Sequence, residues 1–148
     1  MSLTGTERSS LIAAVAQPSP GRKLADVINL MDDGAYTVSY SIGAEATNAI
    51  AVTITVKTID NRALDNRVCL DFLLISSTST FALNATDYTI AATTGVVAEL
   101  VADKVLRVVT SATGVAVLTF TFASTATSFL AACLPGGAMT VSGAITHT

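Results

Sequence analysis

Few residues in this chain have chemistry to offer. The 148 residues hold one histidine, His147, and two cysteines, Cys69 and Cys133. A Ser-His-Asp or Cys-His arrangement needs an imidazole held in place. His147 stands next to the last residue, where a chain end is expected to fray. One histidine and two cysteines also fall short of the four ligands of a structural zinc site. No phosphate-binding GxxxxGK loop, no GxGxxG and no HExxH is present. Oxygen donors gather at Asp60, Asp65 and Asn66, and again at Asp32-Asp33, where paired acids could attract Ca²⁺. Neither group has EF-hand spacing, and Asp and Asn are turn formers, so solvated turns are expected there. The expectation is a chain with no catalytic residue, no metal and no cofactor, and so no enzyme.

The cysteines leave two readings open. Each falls within an expected strand, at a spacing like that of the bridge joining the two sheets of immunoglobulin domains. Under reducing conditions they would instead be two buried thiols acting as small hydrophobes. Cys69 has the opposite register to Val68, Leu70 and Phe72, which leaves its face ambiguous. Phe72, Phe81, Phe120, Phe122 and Phe129 are expected in the core. With 5% aromatics and no Trp, stacking platforms for bases or sugars are scarce.

The elements that must position these residues are strands. Ile50 to Val56 alternates large apolar with small or polar residues. A polar turn, 60–66, leads to Val68–Leu74, and further strands are expected at 88–91, 96–101, 105–110 and 115–122. Phe129–Leu134 and Met139–Ile145 flank Pro135-Gly136-Gly137, a hairpin signal. Short strands at such intervals are the signature of a β-sandwich. Upstream the pattern differs. Thr4-x-x-Glu7 fits a capping box ahead of Leu11, Ile12 and Val15, and Pro18 and Pro20 stop that segment. Leu24, Val27, Ile28 and Met31 then form a two-turn amphipathic stripe ending at Asp32-Asp33-Gly34. Such short helices are too small to fold alone, so those four residues are the candidate partner-binding residues. Tyr36 to Ile42 alternates as a strand. The expected organisation is an anchoring or oligomerising arm over 1–43, helical and extended, and a sandwich over 44–148.

Composition limits the partners. Net charge is −3, and the eight Lys and Arg are scattered, so no basic patch suits nucleic acid. Mean hydropathy is +0.61, yet the longest apolar runs, such as 11–16 and 129–134, fall far short of the roughly 20 residues a membrane helix needs. Glu7 and Arg8 precede only a short apolar run ended by Gln17-Pro18, so no secretory signal is read. A low-charge, Thr- and Ala-rich surface instead implies coverage by other chains. Strands 50–56 and 139–145 carry no charge to blunt an edge, and a homo-oligomer, trimer or dimer, is expected.

From Val52 onward the chain resembles an Ig-like domain of tailed-bacteriophage virion proteins. The residues that carry the likeness are Val52 to Val56, Asp60-Asn61-Arg62-Ala63-Leu64, Arg67-Val68 and Leu73-x-Ile75-Ser76. It continues through the Ala102-Asp103-Lys104 and Ser111-Ala112-Thr113-Gly114 turns to Val141-Ser142-Gly143-Ala144-Ile145-Thr146. Arg62-Ala63 stands where that family has a Gly. The resemblance covers about two-thirds of the chain. It implies an immunoglobulin-like sandwich with a structural role such as head decoration, cementing or fibre attachment, assembled in the host cytoplasm, with the major capsid protein or another virion protein as partner. The alternative is an adhesion module that recognises a host-surface glycan or protein. Its loops at 76–79, 84–87 and 123–128 hold few of the Trp, Tyr or Arg anchors that recognition uses.

Overall fold

A computed structural model of the chain describes residues 36–59, 61–134 and 138–148. The described part is all β: β1 (Tyr36–Ile42), β2 (Ala49–Thr58), β3 (Cys69–Ile75), β4 (Thr89–Thr94), β5 (Val96–Val101), β6 (Val105–Val109), β7 (Val115–Thr121), β8 (Ala126–Cys133), β9 (Met139–Val141) and β10 (Ile145–His147). They make two antiparallel sheets. One has the order β1-β2-β7-β4. The other runs β10-β8-β3-β6-β5, with β9 also paired to β8.

Period-two patterning decides which side chains point inward. Ile50, Val52, Ile54 and Val56 of β2 are buried, as are Ala116, Leu118 and Phe120 of β7. Leu70, Phe72 and Leu74 of β3 and Leu106 and Val108 of β6 meet them from the other sheet. Fully burying each large apolar side chain contributes about 1.5–3 kcal/mol, so the two inner faces form the main core.

One edge of the sandwich is a long folded hairpin. β4 pairs with β7 in the first sheet and β5 with β6 in the second, with only Gly95 between β4 and β5. Gly95 has φ +80°, and a Cβ there would lie 2.5 Å from the Val109 carbonyl oxygen. Only glycine turns the strand at this approach. The return strand crosses between the sheets through Thr110–Gly114. There the Thr110 hydroxyl accepts from the Val68 N–H at 3.0 Å, and Gly114 has φ +75°.

On the opposite edge, β1 pairs with β2 over all seven of its residues. The sandwich therefore includes 36–42, upstream of the boundary expected at residue 44. The Tyr40 hydroxyl donates to the Thr140 carbonyl at 3.0 Å, and its ring meets Phe72 edge-on at 6.5 Å. Burial pushes the Tyr40 phenol up from its ordinary pKa. Strand 50–56, expected as an unguarded edge, is interior, since β1 and β7 flank it. The strand expected over 139–145 is split in two. Ser142 interrupts it, its Oγ accepting from the Leu130 N–H at 2.9 Å and its own N–H donating to the Leu130 carbonyl at 2.8 Å. The expected helical arm lies outside the described residues, as does the turn 135–137.

Candidate functional site: the outer face of the six-stranded sheet

Strand register arranges the outward side chains of the second sheet in four ladders. The first is Val96, Val109 and Cys69. The second is Ala98, Arg107, Asp71, Cys133 and Met139. The third is Val101, Val105, Leu73, Ala131 and Val141. Leu83 joins Ile75 through an isolated bridge, and Ile75 faces Phe129, which makes the fourth. Ile75 and Ala131 are fully buried yet lie outside the main core cluster, covered by their neighbours on this outer side. At the rim Val96, Val101, Leu83 and Met139 are 54, 49, 47 and 45% exposed.

The only charges in these ladders belong to Asp71 and Arg107, which stand directly opposite each other on β3 and β6. Arg107 Nε donates to Asp71 Oδ1 at 2.8 Å and Nη2 donates to Oδ2 at 2.9 Å, a bidentate pair. The guanidinium's hydrogen bonds hold the Asp71 carboxyl below the usual carboxylate range, and the carboxylate in turn raises the Arg107 pKa. The pair cancels its own charge within the face.

Cys69 and Cys133 are free, exposed thiols beside this pair. Together with Leu70, Asp71, Arg107 and Leu134 they line a shallow groove. Both lie in the six-stranded sheet, on the neighbouring strands β3 and β8. Of the two readings, the bridge between the sheets does not fit this placement. Cys133 is opposite Asp71, not Cys69, so the thiols are diagonal neighbours. That places their Cα atoms about 7–8 Å apart, beyond the roughly 7 Å at which a disulfide closes without backbone movement. They are not the buried small hydrophobes of the other reading either.

The outer face of the four-stranded sheet is built differently. Its ladders pair Thr37 with Lys57, Ser39 with Thr55 and Val115, and Ser41 with Thr53 and Val117. Thr119 lies between Ala51 and Ala91, and Thr121 between Ala49 and Thr89. None of its side chains is among the exposed large hydrophobics.

Other residues singled out by the sequence fall elsewhere. His147 is fully buried, contrary to a frayed end. Its Nε2 lies 3.2 Å from the Phe120 carbonyl oxygen, its ring packs on Tyr88 and Phe122, and its buried Nδ1 has no hydrogen-bond partner. β10 carries it inward because Ile145 and His147 share the inner face. Asn84, expected in a solvated loop, is also buried. It accepts from Ser128 Oγ at 3.0 Å and donates to the Thr86 and Asp103 carbonyls at 2.6 and 3.2 Å. The expected loop at 123–128 gives way to β8 from Ala126. Phe81, expected in the core, is exposed with φ 51°, at a turn the alternating pattern does not reach. Asp65 and Asn66 are exposed, and no metal-binding cluster occurs among the described residues. Asp60, Asp32-Asp33 and the stripe Leu24, Val27, Ile28 and Met31 lie outside them.

Strand periodicity alone does not single out this face, although the sequence carries a trace of it. Leu73-Leu74-Ile75, Val108-Val109 and Leu130-Ala131-Ala132 break the alternation into continuous apolar runs. Such runs leave a strand apolar on both faces, and Val115-Ala116-Val117-Leu118 of β7 is another, in the four-stranded sheet. No family model matches the chain and no curated protein matches it, so the function has to be read from this face.

Proposed function

We propose that this chain is a structural virion protein of a tailed phage, an immunoglobulin-like sandwich that decorates or cements the capsid surface and catalyses nothing. The observation that carries the proposal is the one-sided exterior. One sheet presents mainly Thr, Ser and Ala, with Lys57 and half-buried Val115 and Val117, while the other presents Val, Leu, Met and Cys around a self-neutralised ion pair. A soluble protein that leaves a broad apolar face has a partner for it, and a coat or cement protein works by being covered.

Strand order supports the immunoglobulin-like part. β1-β2-β7-β4 follows the A-B-E-D order of such domains, and β8 beside β3 follows F beside C. The middle of the chain departs from it. After β3 the chain goes first to β4 beside β7, and only then to β5 and to β6 beside β3, so Gly95 crosses between sheets where a C-C′ hairpin would stay in one.

The test is the composition of particles. Phage purified from the strain that carries the coding sequence should contain this chain at a fixed ratio to the major capsid protein, measured by quantitative mass spectrometry. Its absence from particles, with the protein abundant in the lysate, would overturn the proposal. Specific retention on a glycan array or on host envelopes would point to the adhesion alternative.

A further inference from the structure

We infer that the outer face of the six-stranded sheet is where two copies of this chain meet, sheet against sheet across a twofold axis. The inference rests on the reading of this face as one that is covered, names the occupant as a second copy, and does not require a capsid.

A twofold interface brings a patch against itself, so the patch must be self-complementary. Charge is the strictest condition, because like charges brought together cost several kcal/mol. This face meets it. Its two charges neutralise each other within one copy, and every other ladder position is uncharged. A partner selected by opposite charge would find no net charge to read here. The dimensions also fit. Seven residues of β3 span about 24 Å, and five adjacent strands span about 24 Å. The footprint is about 600 Å² in projection, which matches the smaller specific interfaces at about 600 Å² per partner. Exposed Val96, Val101, Leu83 and Met139 ring the footprint, and stacked sheets would bury them at the usual spacing of about 10 Å. The partner's face would also cover Cys69 and Cys133, which are open in the single copy.

The experiment is sedimentation equilibrium of the full chain over a concentration series, with thiol labelling by a maleimide at each concentration. A monomer–dimer equilibrium is expected, with labelling of Cys69 and Cys133 slowing in step with the dimer fraction. Val101→Lys, at an exposed rim position, and Leu73→Lys, at the centre, should each weaken the dimer about 100-fold or more. Thr55→Lys on the other sheet should leave it unchanged. Val101→Lys guards against misfolding, since its side chain is half in solvent already.

A monomer at every concentration with rapidly labelled thiols would overturn the inference. So would thiols protected in a monomer, which would mean that residues 1–35 of the same chain cover the face. Association lost on Thr55→Lys but not on Val101→Lys would place the interface on the other sheet. Binding of the monomer to neutral phosphatidylcholine vesicles without dimerisation would make the occupant lipid. A dimer absent from phage particles would uphold this inference while ending the capsid proposal, and a particle-bound monomer would do the reverse.

Discussion

The two outer faces of this sandwich are made from residues of nearly equal strand preference and differ in almost everything else. Thr and Val are both β-branched, and both suit a pleated surface. Either face would therefore fold with either set. The four-stranded sheet takes Thr53, Thr55 and Thr119 at positions where the six-stranded sheet takes Leu73, Val105 and Val109. The inner faces of both sheets are largely apolar, with Ser128 and His147 buried on the six-stranded one, so the core does not call for the more apolar exterior on that side. What remains is the requirement each exterior meets. One suits contact with water, and the other, on the proposal above, suits contact with a surface. Alternation also lapses in β7, at Val115-Ala116-Val117-Leu118, but the large exposed apolar side chains Val96, Val101 and Met139 all belong to the six-stranded sheet.

The sharpest way to break this arrangement is at the point where the chain passes from one sheet to the other. Gly95 joins β4, beside the Thr ladders, to β5, on the apolar side. Gly95→Ala places a Cβ against the Val109 carbonyl oxygen and forces a side chain to a φ of +80°. The expected loss is at least about 2 kcal/mol, read as a lower urea midpoint. An unchanged midpoint would mean that the crossing relaxes freely and that the two faces are not held by this turn.

A smaller loss is expected at Asn84, with a consequence confined to one face. Asn84 holds the segment that presents Leu83 to Ile75, through bonds to Ser128, Thr86 and Asp103. Asn84→Ala leaves the Ser128 hydroxyl without that acceptor and should cost about 1–3 kcal/mol. It should also weaken self-association by shrinking the fourth ladder, while Thr55→Lys combined with it adds nothing further. Stability lost with association intact would separate Leu83 from the interface.

Exchanging the faces sharpens the comparison at little cost in stability. Val105→Thr with Val109→Thr should change the unfolding free energy by about 1 kcal/mol or less per site and favour the monomer. Thr53→Val with Thr55→Val should do the reverse on the other sheet. It adds a second apolar surface and yields species larger than a dimer in sedimentation, with concentration-dependent scattering. If both exchanges leave the mass distribution unchanged, outer-face composition does not control association.

Much of this was legible in the sequence. β2, and β7 from Leu118 onward, announce themselves because their outward residues are small or polar, so alternation gives element, register and inward side together. Cys69 stands out of phase with Leu70 and Phe72, which by itself leaves its face ambiguous, and the structure places it outside. Where both faces are apolar, as in Leu73-Leu74-Ile75, alternation is lost and the outer face cannot be told from the core by pattern alone. The order in which the middle strands fill the sheets was not legible either, because β4, β5 and β6 are short and pairing partners leave no periodic mark. Nor was the burial of His147, which follows from β10 pairing with Ser128, Thr127 and Ala126, a long-range event that chain position argues against.

The smallest expected effect concerns the one pair of charges on the apolar face. In the single copy both partners are open to solvent, 49% exposed for Arg107 and 40% for Asp71, and exposed pairs contribute little to stability. The Asp71 carboxyl is nonetheless held below its ordinary value by the Arg107 hydrogen bonds. A depressed carboxylate stabilises the fold above its unfolded pKa, and that contribution fades as pH falls through the lower folded value. Asp71→Asn should therefore lower the urea midpoint slightly at pH 7, and the gap should narrow below about pH 4 and close in acid. Asp103, raised by burial, has the opposite dependence, but it is common to both proteins and drops out of their difference. Added salt should shrink the neutral-pH gap if the chain is monomeric. In a dimer the pair leaves water, so screening weakens and the gap should persist in salt. Removing one partner then strands a buried charge, whereas Asp71→Val with Arg107→Leu should be tolerated. A gap that stays open at pH 2 would show that Asp71 acts through packing, not through its charge.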